Sequence, residues 1–161
     1  MFKRILVPLD GSRLSLRALP YATEIVRCFN SEIILLRVVP LSPMPPIGTY
    51  TLPEVIEKAE KETAEKNNRN LASARKYLQR NLKRIVPKGI KGSQHAIAGT
   101  PAKSIIELSQ RKNVDLIVMT THGRQGINRA LLGSVSDEVV RESRLPVLTI
   151  RPQKGQMKKA I

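Results

Sequence analysis

Residues 114–137, VDLIVMTTHGRQGINRALLGSVSD, hold the pattern that decides the fold. Val114 to Thr120 is apolar and rich in β-branched residues, as in a parallel strand buried on both faces. Thr121-His122-Gly123-Arg124-Gln125-Gly126 follows, and Gly133-Ser134-Val135-Ser136-Asp137 then opens a helix over 134–143. A strand, a glycine loop and a helix N-terminus in that order suit an anion. Unpaired N–H groups and the positive dipole end favour negative charge, and glycine lets a phosphate oxygen approach without a Cβ in the way. Glycines that only relieve a strand-to-helix turn produce the same pattern. Neither a Walker A lysine nor a G-x-G-x-x-G turn is present, so the two commonest nucleotide fingerprints do not describe this loop.

Outward from this stretch, strands and helices alternate. Residues 3–9 read as a strand, Arg13 to Phe29 as a helix, and Ser31 to Val39 as a second buried strand. The proline-rich segment Pro40 to Pro53 reads as a loop, long enough to gate a pocket. A long helix runs from Glu54 to about Ile85, with Glu57–Lys61, Glu62–Lys66 and Glu65–Arg69 at i,i+4 and a stop at Pro87 and Gly89. A strand over Ser93 to Ala98 leads into Thr100 as N-cap and Pro101 as first residue of a helix reaching Arg111. Pro146 to Arg151 is the last strand. Five strands alternating with four helices predict one α/β domain over 1–151, doubly wound, with a five-stranded parallel sheet of order 3-2-1-4-5 and helices on both faces. Ligands of such sheets bind at the carboxyl ends of the strands, where Asp10-Gly11-Ser12 and the 121–134 loop both fall. Residues 152–161 read as a basic flexible tail.

Composition narrows the function classes. The 161 residues suit one domain, and no apolar run approaches the ~18 residues of a membrane helix. The basic start Met-Phe-Lys-Arg leads into a strand cut by Pro8 and Asp10, unlike a signal peptide, so a cytoplasmic location is expected. Cys28 reads as a small core residue, and His95 and Cys28 make no metal site. The formal charge is +15, and no acid separates Glu65 from Glu107. Arg69, Lys76, Arg80, Lys83 and Arg84 form a basic stripe beside the apolar stripe Leu71, Ala74, Leu78 and Leu82. The basic 66–103 surface is either a solvated face or an electrostatic contact for nucleic acid or an acidic partner. Five aromatic residues in the whole chain are too few for a base-stacking platform.

Three groups of motifs, in order, carry a resemblance. They are Ile5-Leu-Val-Pro-Leu-Asp-Gly-Ser12; Thr121-His-Gly-Arg124 with Leu131-Leu-Gly-Ser-Val135; and Pro146-Val-Leu-Thr-Ile150. Together they make residues 2–151 resemble the universal stress protein family. In nucleotide-binding members the signature is Gly-x2-Gly-x9-Gly-(Ser/Thr). Gly123, Gly133 and Ser134 match its later elements, and Thr120 stands in place of the first glycine. The resemblance implies that Pro8, Leu9, Asp10 and Val38 frame an adenosine, with Asp10 accepting a hydrogen bond from adenine or ribose. Met119 and Thr120 would line the same pocket. Backbone N–H groups of Gly123, Gly133, Ser134 and Val135 would hold the phosphates of ATP, with Mg²⁺ reached through them. Arg124, like Arg129, lies in the loop and is placed to pair with phosphate, a reading from the residues themselves.

Each of these side chains also has a structural reading. Ser134 with Asp137 fits a helix cap, and Asp10 fits a cap for the helix beginning near Ser12. His122 lacks an assignable carboxylate or nucleophile, and the phosphate loop holds no carboxylate for phosphoryl transfer, so at most slow ATP hydrolysis is expected. The function expected is therefore a stress-response protein that binds ATP and acts as a nucleotide-dependent regulator or partner-binding protein. A relative that has lost nucleotide binding is the alternative that Thr120 leaves open. The resemblance further implies a homodimer through the last strand, whose apolar edge would otherwise invite uncontrolled pairing.

Overall fold

The computed structural model describes residues 1–42, 53–86, 89–121 and 134–151. Five strands, β1 (Arg4–Pro8), β2 (Glu32–Val39), β3 (Gly92–Ala98), β4 (Leu116–Thr120) and β5 (Val147–Ile150), form one parallel sheet of order β3-β2-β1-β4-β5. The strand order expected from the sequence is the one found. Helices α1 (Ala18–Phe29) and α2 (Pro53–Ile85) cover one face, and α3 (Pro101–Arg111) and α4 (Ser134–Glu142) the other.

Two apolar layers follow from strand alternation. Ile5, Val7, Ile33, Leu35, Leu116 and Val118 meet Leu19, Ala22 and Val26 of α1 and Leu78 of α2. Leu6, Ile34, Leu36, Ile117 and Met119 meet Ala102, Ile105 and Leu108 of α3 and Val139 of α4. Because both faces of the central strands are covered, those strands are apolar without alternation, the property that made them legible.

The first helix departs from expectation in a way Pro20 explains. The chain makes a 3-10 turn over Ser15–Arg17 before α1 begins at Ala18, five residues later than expected. Proline has no N–H to give Leu16 one turn back, and its ring would crowd that carbonyl, so a regular helix from Arg13 is disfavoured. Pro20 instead occupies the first turn of α1, where N–H groups need no partner. Cys28, expected in the core, is exposed. It lies two residues past the buried Val26, which at about 100° per residue rotates it roughly 200° from the sheet-facing side.

Helix ends are set by left-handed residues. Asn30 (φ 52°) ends α1 with its N–H on the Val26 carbonyl, and Asn113 (φ 48°) follows α3. Asparagine tolerates this region better than most side chains, which makes these turns from helix to strand compact. Thr100 stands at the N-cap of α3 as expected, but its hydroxyl makes no capping bond. Its carbonyl accepts the Ser104 N–H at 2.9 Å. At the amino ends of the strands, the Asp115 carboxylate accepts the Lys3 and Arg4 N–H groups at 2.8 Å each, pinning β1 beside β4.

Candidate functional site

The strand order reverses direction between β1 and β4, where the chain leaves toward β2 on one side and returns from α3 on the other. That is the topological switch point of an open α/β sheet, and ligands of such sheets bind there, at the carboxyl ends of the strands. Pro8 ends β1, and Thr120 ends β4. Beyond them the Leu9 N–H donates to the Leu36 carbonyl at 2.7 Å, and the Thr121 N–H to Ile150 at 3.1 Å, so both strands leave the sheet at a fixed height.

Three of the expected site residues come together on the α3/α4 face. Met119 is buried at the end of β4, and Val38 of β2 and Val135 in the first turn of α4 pack against the same cluster. They form an apolar wall under the switch point. Leu9 is placed differently. Its side chain is 2% exposed in the core of the opposite, α1/α2 face, which leaves the site its backbone only. Alternation along β4 puts Thr120 on the face of Val118, turned away from Met119, and Thr120 is itself buried. Ser134 and Val135 open α4, the helix expected from residue 134. Gly123, Arg124, Arg129, His122 and Gly133 lie outside the described residues, as do residues 43–52 of the proline-rich segment.

Asp10 is exposed two residues past the end of β1, and its Oδ1 accepts the Ser12 N–H at 2.8 Å. The turn is closed further by Ser12, whose Oγ accepts the Ser15 N–H at 3.1 Å and whose carbonyl accepts the Ser15 hydroxyl at 3.0 Å. Between them Gly11 adopts φ +88°, a region that side chains strain to enter. The carboxylate thus has the local turn role weighed for it, and that bond also fixes its direction. Asp137, the acid of the expected capping box, lies 3.6 Å from Arg141 one turn along α4.

Sequence reasoning missed Arg37. It is the one charge between Glu32 and the end of β2, in an otherwise apolar run, and that interruption was the signal available. Its guanidinium lies 4.8 Å from the centre of the Tyr77 ring on α2 and directly against Gly11. Burial pushes the Tyr77 phenol above its usual pKa, with Ser15 and Arg37 opposing and Asp10 adding to the rise. Asp10, Gly11, Ser15, Arg37 and Tyr77 therefore form one polar cluster at the carboxyl ends of β1 and β2. Among the described residues no group of His, Cys, Asp or Glu is arranged to hold a metal ion. No helix among them is long and apolar enough to cross a membrane.

A model of the universal stress protein family matches residues 1–151. The chain belongs to that family. Universal stress protein MJ0531 of Methanocaldococcus jannaschii is 33% identical over 159 residues, spanning 97% of this chain and 86% of that one. The solved structure of MJ0577, a universal stress protein of the same archaeon, is 27% identical. It superposes with a TM-score of 0.76 over 95% of this chain and 98% of its own. A universal stress protein family member from Arabidopsis thaliana, solved with AMP bound, shares the fold at 21% identity and a TM-score of 0.58, over 98% of this chain and 96% of its own. As a family member the chain is a stress protein, and its sheet and helix arrangement is that of universal stress proteins.

Proposed function

We propose that this universal stress protein binds ATP at the carboxyl ends of β1 and β4 and works as a nucleotide-dependent regulator. The observation that carries the reading is the meeting of three chemistries at one switch point. An apolar wall of Val38, Met119 and Val135 suits an adenine face, the exposed Asp10 carboxylate suits a ribose or adenine donor, and the α4 N-terminus suits phosphate. The Arabidopsis relative with AMP supports the capacity of this fold for an adenylate.

In this reading Pro8 and Asp10 hold the nucleoside edge, and the Leu9 backbone lines the floor. The motif residues Gly123, Arg124, Gly133 and Ser134 surround the phosphates, with Mg²⁺ held through those phosphates. The orientation of Thr120 bears on the missing first glycine. With its Cβ on the face of Val118, it does not project into the wall formed by Met119, which favours nucleotide binding over its loss. Without a carboxylate in the 121–134 loop, the bound nucleotide acts by shifting conformation or partner choice and not by rapid transfer of phosphate.

A homodimer through β5 belongs to the same proposal. β5 is an edge strand, and the 37%-exposed Leu148 lines an apolar cavity of about 420 Å³ with Pro20, Tyr21 and Ile25 of α1. A second copy would cover both the edge and this cavity. The cytoplasm is the location that fits a nucleotide-responsive stress protein.

The test is to denature freshly purified protein and identify any released nucleotide by chromatography. ATP is then titrated against wild type and Gly123→Val at low and high salt. Released ATP, or binding that survives high salt and is lost in Gly123→Val, is the expected result. Binding that is absent, or that vanishes with salt and ignores Gly123→Val, would overturn the proposal.

A further inference from the structure

The outward face of the second half of α2, from residue 66 on, has no role in the nucleotide site, and its charge is of one sign. Ala74 and Leu78 are fully buried against the sheet, and Asn81 is 8% exposed beside them. At about 100° per residue, Arg69, Lys76, Arg80 and Lys83 fall within an arc of roughly 60° on the opposite side of the helix. All four are exposed. Among the described residues only Arg69 has a carboxylate in reach, Glu65 at 3.9 Å at the start of the ridge. The ridge is about 21 Å long, at 1.5 Å of rise per residue. No acid occurs between Glu65 and Glu107 to break it.

The surroundings narrow what such a ridge can bind. The exposed large apolar residues include none between 66 and 85. The one on α2 is Val55, fourteen residues before Arg69, so the ridge lacks the buried anchor that a protein partner needs. A lipid surface would take an amphipathic helix by its apolar face, and that face of α2 is already packed on the sheet. A single strand would look for aromatic platforms, yet the aromatic ring of this part of α2, Tyr77, is turned inward against Arg37. Cations along one helix face without exposed large apolar or aromatic neighbours match the phosphate backbone of a duplex, which presents one charge per ~1.7 Å of axis. The overall charge of +15 adds long-range attraction of the same sign.

We propose that the Arg69-Lys76-Arg80-Lys83 ridge of α2 binds the phosphate backbone of double-stranded nucleic acid without regard to sequence. The contact is electrostatic and lies on a different surface from the nucleotide site, so it stands or falls separately from ATP binding.

The test uses the full chain and two unrelated labelled 30-base-pair DNA duplexes, read by fluorescence anisotropy. With four phosphates neutralised, affinity falls roughly 150-fold between 50 and 200 mM salt, from a slope of about 0.9 per contact. Lys76→Glu/Lys83→Glu lowers affinity at least tenfold and flattens that slope, while ATP binding and the circular dichroism spectrum stay as in wild type. The control Arg27→Glu/Lys103→Glu makes the same change in net charge on exposed positions of α1 and α3, and affinity falls far less. Equal losses in both variants would reduce the effect to net charge and overturn the ridge. So would no binding at 50 mM salt, a strong preference for one duplex sequence, or equal binding of polyglutamate.

Discussion

Arg37 and Tyr77 stack across the gap between β2 and α2, the guanidinium carbon 4.8 Å from the ring centre. The same guanidinium also lies against Gly11, so one side chain spans a central strand, the long helix and the turn that carries Asp10. A cation held between an aromatic face and a backbone turn is partly desolvated, and that strengthens its attraction to the ring quadrupole.

Arg37→Ala should cost about 1–2 kcal/mol of stability from the lost cation–π contact. Urea denaturation measures this. The Tyr77 phenol should titrate at still higher pH, because burial raises its pKa and Arg37 opposes the rise. Arg37→Lys keeps the charge but loses the planar stack, and should fall between wild type and Arg37→Ala. A tyrosine titration unchanged by Arg37→Ala would show that the pair is not formed in solution.

Gly11→Ala should destabilise the fold by about 1–2 kcal/mol, the cost of placing an L side chain in the left-handed region. A Cβ at Gly11 would stand 2.7 Å from an Arg37 nitrogen, so the guanidinium must also shift. The two costs share a partner. In the double variant Gly11→Ala/Arg37→Ala the penalties should therefore sum to less than their separate values, as a double-mutant cycle would show.

The contrast between these two residues shows where sequence reading reaches its limit. Gly11 sits in a turn that Asp10-Gly11-Ser12 announces by composition. Arg37 and Tyr77 are forty residues apart, and nothing in either helix or strand periodicity joins them. The strands were legible because two-sided burial removes polar residues from them. The start of α1 was misplaced because the apolar spacing runs on through Leu16, while the missing N–H of Pro20 controls where regular hydrogen bonding begins. The candidate site was legible as motifs, but the direction of each side chain was not. Leu9 and Thr120 face the α1 side of the sheet and Met119 the α3 side, a distinction set by strand phase and register.

His95 on the edge strand β3 supplies a pH dependence. Burial, followed by the nearby Lys112 and Arg111, holds its pKa below the usual value near 6.5, and Glu32 opposes only in part. Its Nε2 is buried without a hydrogen-bond partner among the described residues. The unfolded chain then binds a proton at higher pH than the folded one, so stability is full above about pH 7 and declines as pH falls through 6.5 toward 5. His95→Gln should flatten the decline in that window, where most carboxylates remain ionised. A decline of the same slope in the variant would assign it to other groups.

Leu148→Lys places a charge on the apolar cavity beside the β5 edge, at a position 37% exposed in the single chain. If β5 joins two copies, sedimentation velocity should show wild type as a dimer and the variant as a monomer, with little change in chain stability. Lysine is a natural guard of free sheet edges, so the variant should stay folded. A wild type that sediments as a monomer at high concentration would remove β5 from the interface.

Asp10 separates the nucleotide proposal from the local turn. Asp10→Asn keeps an oxygen able to accept the Ser12 N–H, which now lies 2.8 Å from Oδ1, so the turn should be kept. The charge is lost, and a charged hydrogen bond to ribose or adenine is worth about 1.5–3 kcal/mol, so ATP affinity should fall roughly ten- to a hundredfold. Asp10→Ala removes both roles and should lose affinity and stability together, the latter by about 1 kcal/mol for the capping bond. Calorimetric titration and urea denaturation of the same two variants read the two effects independently. If Asp10→Asn binds ATP as wild type does while Asp10→Ala is destabilised, the carboxylate serves the turn alone. The nucleoside edge would then be held by the backbone around Pro8 and Leu9.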